Sequence, residues 1–179
     1  MRKLCVLFGF MLVVAASAKA QNFEVGGNYQ FVRINPGGGA SGSNCQGAAG
    51  SAAVGLNNWA SIVGDFGGCK ITGMPAGSSG SQINYLFGPR ITARGYGRFS
   101  PFVQTLFGGV HDSATAAGLT ATANSFGWTI GGGADFAVTK HVALRAIQFD
   151  YLYTHFSGTR QNNFRIQSGL VYRWGSGKR

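Results

Sequence analysis

The sequence is poor in charged residues and has no long apolar run beyond its first 20 residues. Asp, Glu, Lys and Arg make up 11% of the 179 residues, whereas a soluble domain usually carries about 25%. Because a helix needs roughly 20 apolar residues to cross a bilayer, the rest of the chain contains no candidate membrane-spanning helix. Aromatic residues, at 13%, and glycine, with 30 residues, are abundant. This composition agrees with a β-barrel.

The first 20 residues have the pattern of a secretory signal peptide. Arg2 and Lys3 form a basic start, residues 4–16 form an apolar stretch, and Ala18-Lys19-Ala20 is a small-x-small cleavage site. The apolar stretch is too short to anchor the chain as a helix, and Cys5 lies near its start, so Cys5 is not a lipidation cysteine. We therefore predict export, with residues 1–20 removed.

Acidic residues are the scarcest charged type, with 5 against 15 basic residues and a net charge of +10. A basic chain suggests nucleic-acid binding, and Arg94-Gly95-Tyr96-Gly97 resembles part of an RNA-recognition motif. However, the signal sends the chain out of the cytoplasm, and Arg94 and Arg98 fall in a short connection between predicted strands. We expect no nucleic-acid partner and expect the basic groups to meet anionic lipid head groups.

The clearest structural pattern lies near the end of the chain, where apolar and polar residues alternate. One face carries Phe164, Ile166, Leu170, Tyr172 and Trp174, and the other carries Arg165, Gln167, Gly169 and Arg173, with Val171 as the apolar exception. This period of two is typical of a strand with one apolar and one polar face. In an exported chain it indicates a strand of an outer-membrane β-barrel, with its apolar face toward lipid.

Eight segments of the chain are strand-like. They are Phe23–Arg33, Ser51–Leu56, Trp59–Phe66, Ile83–Ile91, Phe99–His111, Phe126–Ala137, Val142–Phe156 and Phe164–Trp174. Long connections are predicted at 35–50, 67–82 and 112–124, with a shorter one at 157–161, and short ones are predicted at 57–58, 92–98 and 138–141. Short periplasmic turns and longer outer loops are typical of bacterial barrels. The prediction is an all-β, eight-stranded antiparallel up-and-down transmembrane barrel over residues 21–175, followed by a short basic tail at 176–179.

The last predicted strand also carries a motif. Gln167-Ser168-Gly169-Leu170-Val171-Tyr172-Arg173-Trp174 fits the pattern polar, x, Gly, x, x, hydrophobic, x, aromatic. On this motif residues 21–175 resemble the OmpA-type transmembrane barrels and related outer membrane β-barrel proteins. The resemblance implies that Gln167, Gly169, Tyr172 and Trp174 form an assembly signal for the barrel-assembly machinery. It also implies a monomer in a Gram-negative-type outer membrane, in contact with its lipid and lipopolysaccharide. Members commonly end on the aromatic residue, whereas residues 175–179 follow here.

One segment resembles a catalytic motif. His111-Asp112-Ser113 is similar to the His-x-Ser of outer-membrane lipid A deacylases, in which a glutamate from a later strand orients the histidine. The single glutamate of this chain, Glu24, precedes the motif. We therefore assign no catalytic residue, and a lipid A-modifying enzyme remains an alternative.

No pattern predicts a metal or cofactor site. His111, His141 and His155 fall on separate connections or strand ends without metal-ligand spacing, and Gly131-Gly132-Gly133 leads into no helix, unlike a dinucleotide-binding loop. The expected function is that of a non-enzymatic integral outer-membrane protein with a structural or surface-interaction role and at most a narrow passage. A second alternative is a soluble exported barrel that carries a ligand, which would place its aromatic residues inside. The interior of eight strands is barely wide enough for side chains.

Cys45 and Cys69 are the only cysteines beyond the predicted signal. Both fall in predicted outer loops, and export delivers them to an oxidising compartment. We predict a disulfide that joins the first and second outer loops, with two free loop thiols as the alternative.

The predicted lumen face contains charges of both signs. Glu24 in the first strand and Arg173 in the last become neighbours when the barrel closes, and Asp135 and Arg145 flank the turn at 138–141 as a cross-strand pair. Charges in a narrow lumen are costly unless they are paired. We therefore predict that Glu24, Asp135, Arg145 and Arg173 form a cluster that closes the lumen near its periplasmic end.

This prediction requires an irregularity in the seventh strand. In a regular strand Gln148 and Asp150 would face away from Arg145, so a bulge near Ala146-Ile147 is needed for all three to face inward. Without the bulge, Arg145 would extend outward to the lipid boundary.

Overall fold

The computed structural model describes residues 22–35, 42–156 and 159–174. The predicted signal peptide at 1–20, the tail at 176–179 and parts of two predicted outer loops lie outside these residues. Within the described part of the chain, no helix is long and apolar enough to cross a membrane.

Eight antiparallel strands form a closed barrel. They are β1 (Phe23–Ile34), β2 (Ser43–Gly55), β3 (Ala60–Thr72), β4 (Ser78–Thr92), β5 (Phe99–Ala116), β6 (Leu119–Ala137), β7 (Val142–Phe156) and β8 (Thr159–Trp174). Each strand pairs with its neighbours in sequence, and β1 pairs with β8 to close the sheet. The predicted fold class is therefore confirmed.

The alternation of side chains places most of the polar residues of the strands inside, together with a cluster of buried aliphatic residues. In β1, Glu24, Asn28 and Gln30 are buried. The apolar residues at the alternate positions, including Phe23 and Tyr29, are exposed. Most aromatic residues of the strands therefore point outward, with buried Phe102 as an exception, which is the reverse of a soluble barrel that carries an apolar ligand in its interior.

Several strands are longer than the sequence predicted. The expected loops at 35–50 and 67–82 are largely strand, because β2 begins at Ser43, β3 reaches Thr72 and β4 begins at Ser78. These segments consist mainly of small and polar residues that give no apolar periodicity, and pairing with neighbouring strands nevertheless orders them.

The expected loop at 112–124 is also wrong, since β5 and β6 are joined by Ala117-Gly118 alone. Both residues have positive φ, at 51° and 78°, as a two-residue hairpin of the type I′ kind requires. The predicted alternation of long and short connections therefore does not hold for the described connections.

A bulge interrupts β7. The register with β8 shifts between Arg145 and Gln148, and Ala146 and Ile147 are both exposed. The predicted bulge is therefore present, and it allows Arg145, Gln148 and Asp150 all to be buried in the lumen.

Candidate functional site in the barrel lumen

The lumen is filled by side chains from all eight strands. We call the end where β1 begins and β8 ends the terminal end, and the opposite end the distal end. All five acidic residues of the chain occupy inward positions on their strands. They are Glu24, Asp65, Asp112, Asp135 and Asp150. The chemistry of the interior is therefore set by which donors surround these carboxylates.

The predicted charge cluster lies at the terminal end. Glu24 is opposite Arg173 in the β1–β8 pair, and Asp135 is opposite Arg145 in the β6–β7 pair. Arg145 Nε donates to Asp135 Oδ1 at 2.9 Å, and Arg173 Nη2 donates to Asp135 Oδ2 at 2.8 Å. Arg173 Nε also lies 3.2 Å from Glu24 Oε1. The structure thus brings all four predicted residues together, with Arg173 as the link between the two carboxylates.

Two further arginines, which the sequence analysis did not place here, approach Glu24. Arg94 Nη2 donates to Glu24 Oε1 at 3.0 Å, and Arg90 Nη1 lies 4.0 Å from Glu24 Oε2. The turn after β4 lies on the far side of the barrel from β1, so Arg94 extends across the mouth of the lumen. The side chain of Arg94 therefore folds inward toward Glu24.

One aromatic ring contacts two of the arginines in the lumen. The guanidinium carbons of Arg90 and Arg145 lie 4.5 Å and 4.8 Å from the centre of the Phe102 ring. Such cation–π contacts stabilise a guanidinium that has lost its water. Arg90 also donates twice to Gln104 Oε1, at 3.0 Å and 2.8 Å. Phe102 and Gln104 of β5 therefore hold Arg90, whose nearest carboxylate is only at the edge of contact range.

A second ionic centre lies in the middle of the lumen around Arg165. Its Nη2 donates to Asp150 Oδ2 at 2.8 Å, and its Nη1 donates to Asp65 Oδ1. All three side chains are fully buried. Breaking such a pair on one side leaves an uncompensated buried charge, which costs about 3–5 kcal/mol. Arg165 is thus the cation with which both buried carboxylates form ion pairs.

Amide side chains join the two ionic centres into one network. Arg145 Nη1 donates to Gln148 Oε1 at 3.1 Å, and Gln148 Nε2 donates to Asp150 Oδ2 at 2.7 Å. On the other side, Asn84 Nδ2 donates to Asp65 Oδ1 at 3.3 Å. The network therefore extends from the terminal mouth to the middle of the barrel and reaches both walls.

The sequence analysis missed Arg165 and Asp65 as a pair. The only feature of the sequence that pointed to this pair was the position of Arg165 on the polar face of the last strand. Which inward residues meet across a barrel depends on the stagger of the strands, and strand order alone does not give it.

At the distal end, the part of the interior next to β1, β2 and β3 is apolar and contains the disulfide. Cys45 and Cys69 are bonded, with their Cα atoms 5.4 Å apart, and they pack with buried Val32 and Ile34 and with Ile71. The predicted pairing is confirmed, but its location is corrected, because both cysteines lie on strands, β2 and β3, and face the lumen. The parts of the expected loops that carry them are strand in the structure.

The histidine motif does not form a catalytic set. His111 Nδ1 lies 2.7 Å from Asn124 Oδ1, and Asp112 accepts a hydrogen bond from Gln82 at 2.9 Å. Glu24, the chain's one glutamate, is at the terminal end, far from this distal segment. Among the described residues there is no group of three or more His, Cys, Asp or Glu side chains that could hold a metal ion.

The residues of the predicted assembly signal lie at the seam between β8 and β1. Gln167 faces inward and donates to Gln30 at 3.2 Å, and Gly169 pairs with Asn28. Tyr172 and Trp174 face outward with ring centres 4.3 Å apart. The segment closes the barrel, and its recognition by the assembly machinery stays a prediction.

Comparison with known proteins points to one family. The family model for the outer membrane protein β-barrel domain matches residues 4–173. No curated protein matches the chain.

Solved structures show the same fold. Neisserial surface protein A, NspA, is 14% identical, with a TM-score of 0.74, over 85% of this chain and 97% of that one. The attachment invasion locus protein Ail of Yersinia pestis is 14% identical, with a TM-score of 0.60, over 88% and 100%. OprG of Pseudomonas aeruginosa is 10% identical, with a TM-score of 0.56, over 88% and 98%. At these identities the likeness concerns the fold alone.

Proposed function

This chain belongs to the outer membrane protein β-barrel family, and we propose that it is a non-enzymatic integral outer-membrane protein with a closed lumen. Its role is structural, or is exerted through its outer surface. The observation that carries the proposal is the buried network centred on Arg165, Asp65 and Asp150.

The outward face supports placement in a membrane. Large apolar side chains such as Phe66, Tyr85 and Phe107 are about half exposed, and a water-facing surface would not favour this. A closed antiparallel barrel also leaves no unpaired sheet edge within the hydrocarbon region, as a spanning structure requires. In this orientation the terminal end faces the periplasm of a Gram-negative-type envelope.

The lumen network supports a barrel without a wide passage. Arg145 and Arg165 are fully buried, as are Gln148 and Gln167, so the cross-section is occupied by side chains that hold one another. An ion that crossed would have to displace a guanidinium from its carboxylate, and the separated buried charges make that step costly. At most a narrow passage is compatible with this packing.

The distribution of charge supports contact with anionic lipid. Because the carboxylates face inward, the exposed charges toward the distal end of the described strands are cationic, such as Arg33 and Lys70. We propose that the outer surface of the barrel contacts outer-membrane lipid and lipopolysaccharide, that the barrel is a monomer, and that the β8 seam is read by the assembly machinery.

Reconstitution into a planar bilayer tests the closed lumen. The wild-type protein should show little or no steady conductance, and the Lys70→Gln variant, changed on the outer wall, should behave the same. Arg165→Ala removes the side chain that holds the centre, so brief openings should become more frequent. A large, stable open channel in the wild type would contradict the proposal.

A further inference from the structure

A cavity of about 710 Å³ opens at the terminal end, below the ion-pair network. Its walls include the turn between β4 and β5 and the turn between β6 and β7. Four basic side chains line it, namely those of Arg94, Arg98, Lys140 and Arg173, together with one carboxylate, that of Glu24. Counted over these lining side chains alone, the formal excess is three positive charges, although Arg173 also pairs with Asp135, which lies outside the lining.

Glu24 is already counted in this balance, and several arginines share it. Its Oε1 accepts from Arg94 at 3.0 Å and lies 3.2 Å from Arg173 Nε, while its Oε2 lies 4.0 Å from Arg90. Within the described part of the chain, neither Arg98 nor Lys140 forms a salt bridge. Two exposed cations without a carboxylate partner therefore line the cavity, beside a carboxylate that is already engaged.

Neutral hydrogen-bond donors complete the wall. The hydroxyl groups of Thr92 and Ser100 and the amide of Asn58 line the same cavity. Several cations with hydroxyl and amide donors suit a multiply charged anion with several oxygens, and the planar fork of arginine matches phosphate geometry. The volume is within the usual range for small-ligand sites.

We propose that this cavity binds a phosphoryl group. The group comes either from a soluble phosphate compound in the periplasm or from the head group of an anionic phospholipid in the adjacent leaflet. Binding in this cavity depends on the cations that line it and not on whether the lumen conducts. The proposal of a phosphoryl-binding site and the proposal of a closed lumen can therefore be refuted independently.

The test compares two double variants in neutral detergent micelles. Arg98→Gln/Lys140→Gln removes the two cavity cations that have no carboxylate partner. Arg33→Gln/Lys70→Gln removes the same charge from exposed positions toward the distal end and is the matched control. All three proteins should fold, as checked by migration in unboiled SDS samples, because each changed side chain is exposed.

Inorganic pyrophosphate is the soluble probe, titrated calorimetrically at constant ionic strength. Saturable binding to one site is expected, weakened at least about tenfold in Arg98→Gln/Lys140→Gln, since each lost charge-assisted hydrogen bond is worth about that factor. The control variant should bind like the wild type. This result supports a site that binds the phosphoryl group of a soluble phosphate compound.

Native mass spectrometry with phosphatidylglycerol or phosphatidylcholine is the lipid arm. The wild-type protein should retain one phosphatidylglycerol in preference to phosphatidylcholine, and only Arg98→Gln/Lys140→Gln should lose it. This result supports a site that binds the head group of an anionic phospholipid. The proposal is overturned if neither probe binds, or if the control variant loses binding as much as the cavity variant does.

Discussion

Arg165 in β8 forms an ion pair with Asp65 in β3 across the lumen, although 100 residues separate them in the sequence. Because Arg165 also holds Asp150 of the adjacent strand β7, one guanidinium ties the wall that closes the barrel to the opposite wall. The lumen is thus braced across its width as well as paired along its strands.

The first prediction concerns this brace. Arg165→Met leaves two buried carboxylates without a cation, so the free energy of unfolding should fall by about 3–5 kcal/mol. Urea unfolding in detergent micelles, followed by tryptophan fluorescence, measures the change. Arg33→Met, on the outer face of β1, is the control and should change stability by less than about 1 kcal/mol.

A compensating variant sharpens this prediction. Arg165→Met with Asp65→Asn and Asp150→Asn removes the charges that Arg165 balances, so part of the lost stability should return. Wild-type stability in Arg165→Met alone would show that the pair contributes nothing.

The second prediction concerns the closed barrel as a whole. Because every strand is paired on both sides, the extracted protein should keep its structure in cold SDS and migrate differently from a boiled sample. It should also fractionate with the outer membrane. Recovery as a soluble periplasmic protein would refute membrane insertion.

The third prediction concerns the seam between β1 and β8. A Cβ at Gly169 would overlap the carbonyl of Gly27 and lie 2.6 Å from the Cα of Asn28, whereas a Cβ at Gly27 would meet nothing within 4 Å. Gly169→Ala should therefore impair closure and lower stability by about 1–3 kcal/mol. Gly27→Ala, one residue away on the partner strand, should fold normally. Equal folding yields and equal stabilities for the two variants would contradict the steric argument.

The fourth prediction concerns the disulfide. Protein that begins at Gln21 should not react with a thiol reagent unless it is first reduced. Cys45→Ala/Cys69→Ala should be less stable by about 3 kcal/mol, because the bridge restricts the unfolded chain. A mass shift for labelled cysteine in unreduced, denatured protein would show that the bridge does not form.

The sequence predicted the features that depend on local pattern. Alternation identified the eight strands, and the two residues flanking a short turn, Asp135 and Arg145, were recognisable as opposite one another. The requirement that Arg145, Gln148 and Asp150 all face inward also led to the prediction of the bulge at Ala146-Ile147. Each of these relations involves residues close together in the chain.

Two kinds of feature escaped prediction. The strand extensions at 43–50 and 67–72 consist mostly of small residues, so the contrast between apolar and polar faces is weak, and pairing with neighbours decides their structure. The pairs Arg165–Asp65 and Arg94–Glu24 join strands or turns on opposite walls, and their meeting depends on barrel stagger and on side-chain reach.

The position of Arg165 on the last strand has a consequence for the order of assembly. Until β8 stands in one barrel with β3 and β7, Asp65 and Asp150 lack the cation that they share. An incomplete barrel therefore carries these carboxylates at its centre without their ion pairs, which disfavours its insertion into lipid. We expect closure to bring the guanidinium to both carboxylates and to complete the wall in the same step, so that only complete chains settle in the bilayer.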